Sequence, residues 1–277
     1  MGTIIYRLCR MINKQNTQLP PWGNDPLSKL LANAQHNERA VSLNYPELFL
    51  ILQHLNDTFI NLQRSTEKDD DEERLIPRML LIRGYSNCIA AIRLAMSGQF
   101  PESCAILRVA IETGWYALHL AHDPNPPTRR TIWIKRGDNA QAAKQCANEF
   151  RISNVRSTHL DKDLYTAQEL DRLYNTMIRG GGHPNDISVL GMMKIRESSD
   201  RKLLLDQGVL NPDLLLIKIA LKHIVAVGVG ICKIAQQIFP ERLDLIQLNE
   251  NIHFLVKAIN TASSKQNIVY CSPLTED

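Results

Sequence analysis

The chain has 277 residues, 44% hydrophobic and 22% charged, with a net charge of +3. That is an ordinary globular composition at a length that supports a sizeable core, and thirteen glycines and thirteen prolines are too few for a collagenous or linker-dominated chain. The mild positive charge does not by itself announce a nucleic-acid binder. Six cysteines (Cys9, Cys88, Cys104, Cys146, Cys232 and Cys271) are scattered without a C-x-x-C or a zinc-type pairing. This points to a reducing compartment without a disulfide framework, and the expected location is cytoplasmic. Near the N-terminus, Arg7, Arg10 and Lys14 interrupt the apolar stretch from Ile4 to Ile12, which does not read as a secretory signal.

In chain order, Leu19-Pro20-Pro21-Trp22-Gly23-Asn24-Asp25-Pro26 reads as a loop, followed by a short helix from Leu27 to Arg39. Pro46 suits the first turn of a helix that runs to Gln63, with Leu48, Leu50, Leu52, Leu55, Phe59 and Leu62 giving an apolar face at helical spacing. The acidic run Asp69-Asp70-Asp71-Glu72-Glu73 reads as a solvated loop entering the next helix, whose N-terminal dipole favours carboxylates. That helix is predicted over 73–96, with Pro77 as a point of bending and Ser97-Gly98 as its end. Residues 101–122 are apolar around nearly the whole circumference, the pattern of a buried helix, and are placed at the centre of the fold. Short helices are predicted around Trp133 and from Asn139 to Phe150, then one from Thr166 as N-cap to Arg179, stopped by Gly180-Gly181-Gly182. The period changes between Ile187 and Leu205, where a small β-hairpin is predicted. Two long helices follow, at about 211–239 and 241–263, with Pro240 between them. Leu214 to Ile231 is broken by Lys218 and Lys222, and its uncharged remainder is about half of the ~20 residues needed to span a bilayer. It reads as a core helix, and no membrane partner is expected. The predicted fold is all-α, a multi-helix bundle with a small hairpin near 187–205. Residues 1–45 form a peripheral N-terminal segment, 46–265 a single helical domain and 266–277 a loose C-terminal tail.

Three constellations could carry chemistry. On the central helix, Arg108, Glu112, Trp115 and His119 are spaced by four, three and four, so they share one stripe. Charges on an otherwise apolar helix must find partners, because burying them alone is costly. The stripe is therefore either an internal ion pair with a satisfied core histidine, or the wall of a functional pocket. The second constellation is Arg179-Gly180-Gly181-Gly182-His183-Pro184-Asn185. A histidine beside a helix C-terminus suits acid–base work near neutral pH, and an arginine suits a phosphate. The structural alternative is a glycine-rich helix stop whose histidine caps free carbonyls. The third is the basic segment Arg129, Arg130, Trp133 and Arg136, which could hold RNA backbone and bases or could be a solvated helix anchored by its tryptophan. His119 and His122 have no third ligand predictably near, and no dinucleotide or triad fingerprint is present, so no metal and no cofactor are expected.

A family resemblance rests on Arg83-Gly84-Tyr85 through Leu94, Gly98-Gln99-Phe100, Arg108 to Tyr116 with Glu112, the Trp133 segment, and Gly182-His183-Pro184-Asn185. Together these resemble a group of uncharacterised bacterial helical proteins that share an R-x-x-x-E helix, a W-x-x-R segment and a late G-x-H-P element. The resemblance spans roughly residues 80–260. That group is distantly similar to the HEPN superfamily of helical bundles, often dimeric, many of them metal-independent RNases of toxin–antitoxin and antiphage systems. The HEPN motif is an arginine with a polar neighbour, then a histidine a few residues on. Here glycine follows Arg179, and three residues separate it from His183, a shorter spacing. The resemblance implies RNA as partner and substrate, a homo-oligomer, and Arg179, His183 and Asn185 as the catalytic group, supported by Arg108, Glu112, Trp115 and His119. The competing expectation is a non-catalytic helical module that binds a protein or a small ligand.

Overall fold

The computed structural model describes residues 23–182, 185–190, 192–197 and 203–264, and within them the chain is an α-helical bundle with one two-stranded hairpin. Its helices are α1 (Pro26–Asn44), α2 (Pro46–Thr66), α3 (Glu72–Ser97), α4 (Phe100–Ala121), α5 (Thr128–Lys135), α6 (Ala140–Glu149), α7 (Ile152–Lys162) and α8 (Leu164–Met177). They continue with α9 (Asp186–Leu190), α10 (Leu214–Ile238), the single turn α11 (Pro240–Leu243) and α12 (Leu248–Ser264). The strands β1 (Met193–Glu197) and β2 (Leu203–Gln207) pair antiparallel, with Ile195 opposite Leu205.

Local chemistry sets most of the boundaries. Prolines open α1, α2 and α4, where the missing N–H would have no intrahelical acceptor. Asp25, Asp71 and Asp213 cap the N-termini of α1, α3 and α10 by accepting first-turn N–H groups. The acidic run, expected as a solvated loop, supplies the cap Asp71 and the first-turn Glu72 and Glu73, while the Asp69 side chain is buried against Arg74. Gly98 ends α3 at φ +95, a conformation L side chains rarely adopt, and a Cβ there would lie 2.8 Å from the Asn211 carbonyl oxygen. That close approach brings the start of α10 against the end of α3, with the Asn211 N–H donating to the Gly98 carbonyl at 2.8 Å.

The core is a three-helix unit, α3, α4 and α10, with the remaining helices around it. Leu107, Ile111, Trp115 and Leu118 of α4 are at most 1% exposed, which places 101–122 at the centre as the apolar pattern predicts. Small residues let α10 fit tightly. Ile231 and Ile234 pack over Gly114 of α4, Ile231 also lies over Gly84 of α3, and Gly228 and Gly230 admit Leu55 of α2 and Leu170 of α8. By length and composition α3 and α10 could each cross a membrane. In this fold α10 is enclosed by α2, α3, α4, α8 and α12.

Several boundaries differ from the sequence expectations. Residues 26–44, expected as a periphery with a helix over 27–39, form a longer helix that packs along α3 and α2, burying Ser28 and Val41. The helix expected to start at Thr166 starts at Leu164. Its N-cap is Asp163, which accepts the Thr166 N–H at 3.1 Å. The expected helix over 241–263 is interrupted. A short 3-10 turn, Asp244–Ile246, and Gln247 at φ +52 separate α11 from α12. The hairpin is present, but residues 186–190 before it are helical. Helix α7 has no counterpart in the sequence reading.

Candidate functional site

The polar stripe of α4 faces α6, α7, α8 and the turn after α8; Glu112, Trp115 and His119 have partners on those helices, and Arg108 pairs with Glu112 on α4 itself. Arg108 Nε lies 3.4 Å from Glu112 Oε1, with the two side chains 26% and 22% exposed. Glu112 also accepts a hydrogen bond from the Tyr174 hydroxyl of α8 at 3.0 Å. Burial, then the Glu112 charge and that hydrogen bond, push the Tyr174 pKa up to about 12, so the phenol remains a donor.

One turn on, Trp115 is fully buried, and its indole N–H donates to His159 Nδ1 of α7 at 3.1 Å. An indole is only a donor, so Nδ1 accepts and the neutral ring carries its proton on Nε2. Burial drives the His159 pKa down to about 4, which keeps the ring neutral near neutral pH. Its Nε2 has no protein partner among the described residues. His159 lines a cavity of about 70 Å³ together with Trp115, Arg156, Gln168 and Asp171, large enough for ordered water. Arg156 pairs with Asp171 and stands over the Trp115 ring, 5.8 Å from its centroid.

The C-terminal end of the stripe is closed. His119 is 1% exposed, with Nδ1 2.7 Å from Thr158 Oγ1 and Nε2 3.1 Å from Glu149 Oε1. A carboxylate only accepts, so Nε2 donates to Glu149, and in the neutral ring Nδ1 accepts from the Thr158 hydroxyl. Burial, with the Arg129 charge, lowers the His119 pKa despite Glu149. Arg129 donates to the same Glu149 oxygen at 2.8 Å and to the carbonyls of His119 and His122 at 2.9 Å. It thereby satisfies the last turn of α4.

The N-terminal end is the more open one, and the glycine turn packs there. Beyond α8 the chain kinks through Ile178–Gly182, with non-helical backbone at Gly181 (φ 176, ψ -8). A Cβ on Gly180 would lie 2.7 Å from Cys104 Sγ, and one on Gly181 would overlap the Pro101 carbonyl. Cys104 is one helical turn before Arg108 on the same row. Stripe and glycine turn, remote in sequence, therefore meet. Arg179 is exposed. Asn185 donates from Nδ2 to the Arg179 carbonyl at 3.0 Å, and its Oδ1 accepts the Ser188 N–H at 2.8 Å, which ties the turn to the start of α9. His183 and Pro184 lie outside the described residues.

The basic segment is held largely by intramolecular contacts. Arg129 turns inward as described, and Arg130 pairs with Glu72 and Glu73 at 3.7 and 3.2 Å. Trp133 packs edge-on against Tyr116 and Phe150. Arg136 is exposed and stacks on the Trp133 ring at 4.3 Å. Among the described residues no group of three or more His, Cys, Asp or Glu converges as metal ligands do.

Glu149, Arg156, Thr158, His159, Asp171 and Tyr174 were not singled out from sequence, although they complete the stripe. Three of them ride on α7, which opens at Arg151 without a side-chain cap and is polar apart from Ile152, Val155 and Leu160. The one available signal was that a stripe with two charges and a histidine needs partners of this kind. No family model, no curated protein and no solved structure matches this chain.

Proposed function

We propose that the protein is a HEPN-like helical protein acting on RNA, a metal-independent endoribonuclease of a bacterial defence or toxin system that works as a homo-oligomer. The observation that supports this reading is the packing of Gly180 and Gly181 against Cys104 and Pro101, which sets the described glycine turn beside the N-terminal end of the Arg108–Glu112 row. Arg179 faces the scissile phosphate, and His183 takes the proton of the ribose 2′-hydroxyl as that oxygen attacks phosphorus. Solvent water gives a proton to the departing 5′-oxygen, leaving a cyclic 2′,3′-phosphate and a 5′-hydroxyl, and the proton held by His183 returns to solvent. Asn185 is a positioning residue, because it holds the Arg179 carbonyl. Arg108, Glu112 and Tyr174 brace the wall behind it.

The test incubates the purified protein with mixed RNA in EDTA, beside His183→Ala and Arg179→Ala variants whose circular dichroism is unchanged. Expected is cleavage with cyclic-phosphate ends, reduced by roughly 10²–10⁴ without His183 and by roughly 10²–10³ without Arg179. Equal cleavage by wild type and His183→Ala would overturn the assignment. A specific observation favours a second reading, a non-catalytic binding module: the His119–Glu149–Arg129 contacts are closed among themselves. RNA retained on a filter but left intact by the wild type would select it.

A further inference from the structure

Helices α8 and α12 each pack on α10 but have no substantial contact with one another, so a cleft runs between them above α10. It encloses about 300 Å³, the low end of the range for small-molecule sites. Its floor is aliphatic: Leu170, Val225, Ala226 and Val229, with Val256 and Ile259 of α12 forming the far wall. The depth comes from Gly230, where a Cβ would lie 2.5 Å from a Leu170 methyl, so α8 and α10 close at the base while the mouth stays apart. The polar groups stand on the rim. Glu169 is held by Arg172 through two contacts of 2.7 and 2.9 Å. Lys233 has no carboxylate within 4 Å among the described residues, although its charge reaches Asp163 and lowers that carboxyl's pKa, and it stands 5.4 Å from the ring centroid of Tyr165, which is 76% exposed. Asn260 adds an exposed amide.

We infer that this cleft binds a small aliphatic carboxylate, its chain along Val225, Ala226 and Val229 and its head group at Lys233 and Asn260. An aliphatic floor provides no partner for a polar ligand body, and one rim ammonium with one amide matches one negative charge rather than a phosphodiester chain. The occupant is a free carboxylic acid of medium chain length, and the site is separate from the stripe of α4.

The probe is sodium octanoate titrated calorimetrically into the full chain, with hexanoate and 1-octanol alongside. Expected is saturable one-site binding that tightens about fourfold per added methylene. Lys233→Gln should weaken octanoate at least about tenfold and leave octanol unchanged, because only the charged head meets the ammonium. Ala226→Phe should abolish both by filling the floor. Val256→Trp, at a position 40% exposed, should narrow the mouth and weaken both without disturbing the core should the floor variant not fold. Absence of saturable octanoate binding, or equal affinity for wild type and Lys233→Gln, would overturn the inference.

Discussion

His159 accepts from an indole in a fully buried setting, and this ties it to pH. Burial takes its pKa from 6.5 to about 4, and His223 of α10 is lowered to about 4 as well, by burial and then by Arg172. Between pH 6.5 and 4 the unfolded chain therefore binds more protons than the folded one. The stabilisation these rings contribute is complete above pH 6.5 and is lost as pH falls toward 4. The gap between the folded and unfolded pKa of His159 corresponds to a contribution on the order of 3 kcal/mol. Urea unfolding at pH 7.5 and pH 5.0 should show the midpoint falling, with a smaller fall in His159→Gln. Equal pH dependence in the two would mean that His159 is not the titrating group. The sequence made half of this legible. Trp115 and His119 were readable as one row because a helix fixes the spacing. Their partners were not, because a contact between α4 and α7 is set by packing and the polar α7 carries little period of its own.

At the scale of elements, Gly180 and Gly181 were legible as a helix stop but not as a packing surface. Their role in the fold is to let the end of α8 touch the first turn of α4. Gly181→Ala should destabilise by about 3 kcal/mol, the upper end of the overpacking range, because its Cβ meets backbone rather than a flexible side chain. Gly137→Ala is the control, since a Cβ there has open space around it and should change stability by less than about 1 kcal/mol. Equal denaturation midpoints for the two variants would separate the glycine turn from the α4 row and remove the main support for a composite site. The start of α8 carries the same lesson. Thr166 and Asp163 are both plausible caps by residue type, and the choice falls to Asp163 because its carboxylate reaches the Thr166 N–H while Thr166 itself is buried.

For the whole molecule, the order of burial should be the order of opening. Local unfolding free energy follows buried apolar contact, and the highest values approach the global stability. In α4 and α10, Leu107, Ile111, Leu118, Ile224, Ile231 and Ile234 are all at most 1% exposed, and both helices belong to the core unit with α3. Helix α1 buries only Ser28 and Val41. The architecture was legible at this scale because continuous apolar character along 101–122 and 214–238 can be satisfied only in a bundle interior or a lipid phase, and the charges at Lys218 and Lys222 argued for the former. Which helices surround them was not legible, since Gly84, Gly114, Gly228 and Gly230 read as helix weakeners until their isoleucine and leucine partners are seen. Native-state hydrogen exchange should accordingly give the slowest amides in the middle of α4 and α10, with exchange there tracking global unfolding in added denaturant. The amides of α1 should exchange by local opening, about tenfold faster for each 1.4 kcal/mol by which that opening is easier. Amides of α10 that exchanged as fast as those of α1 would mean that α10 is not the interior helix around which this bundle is built.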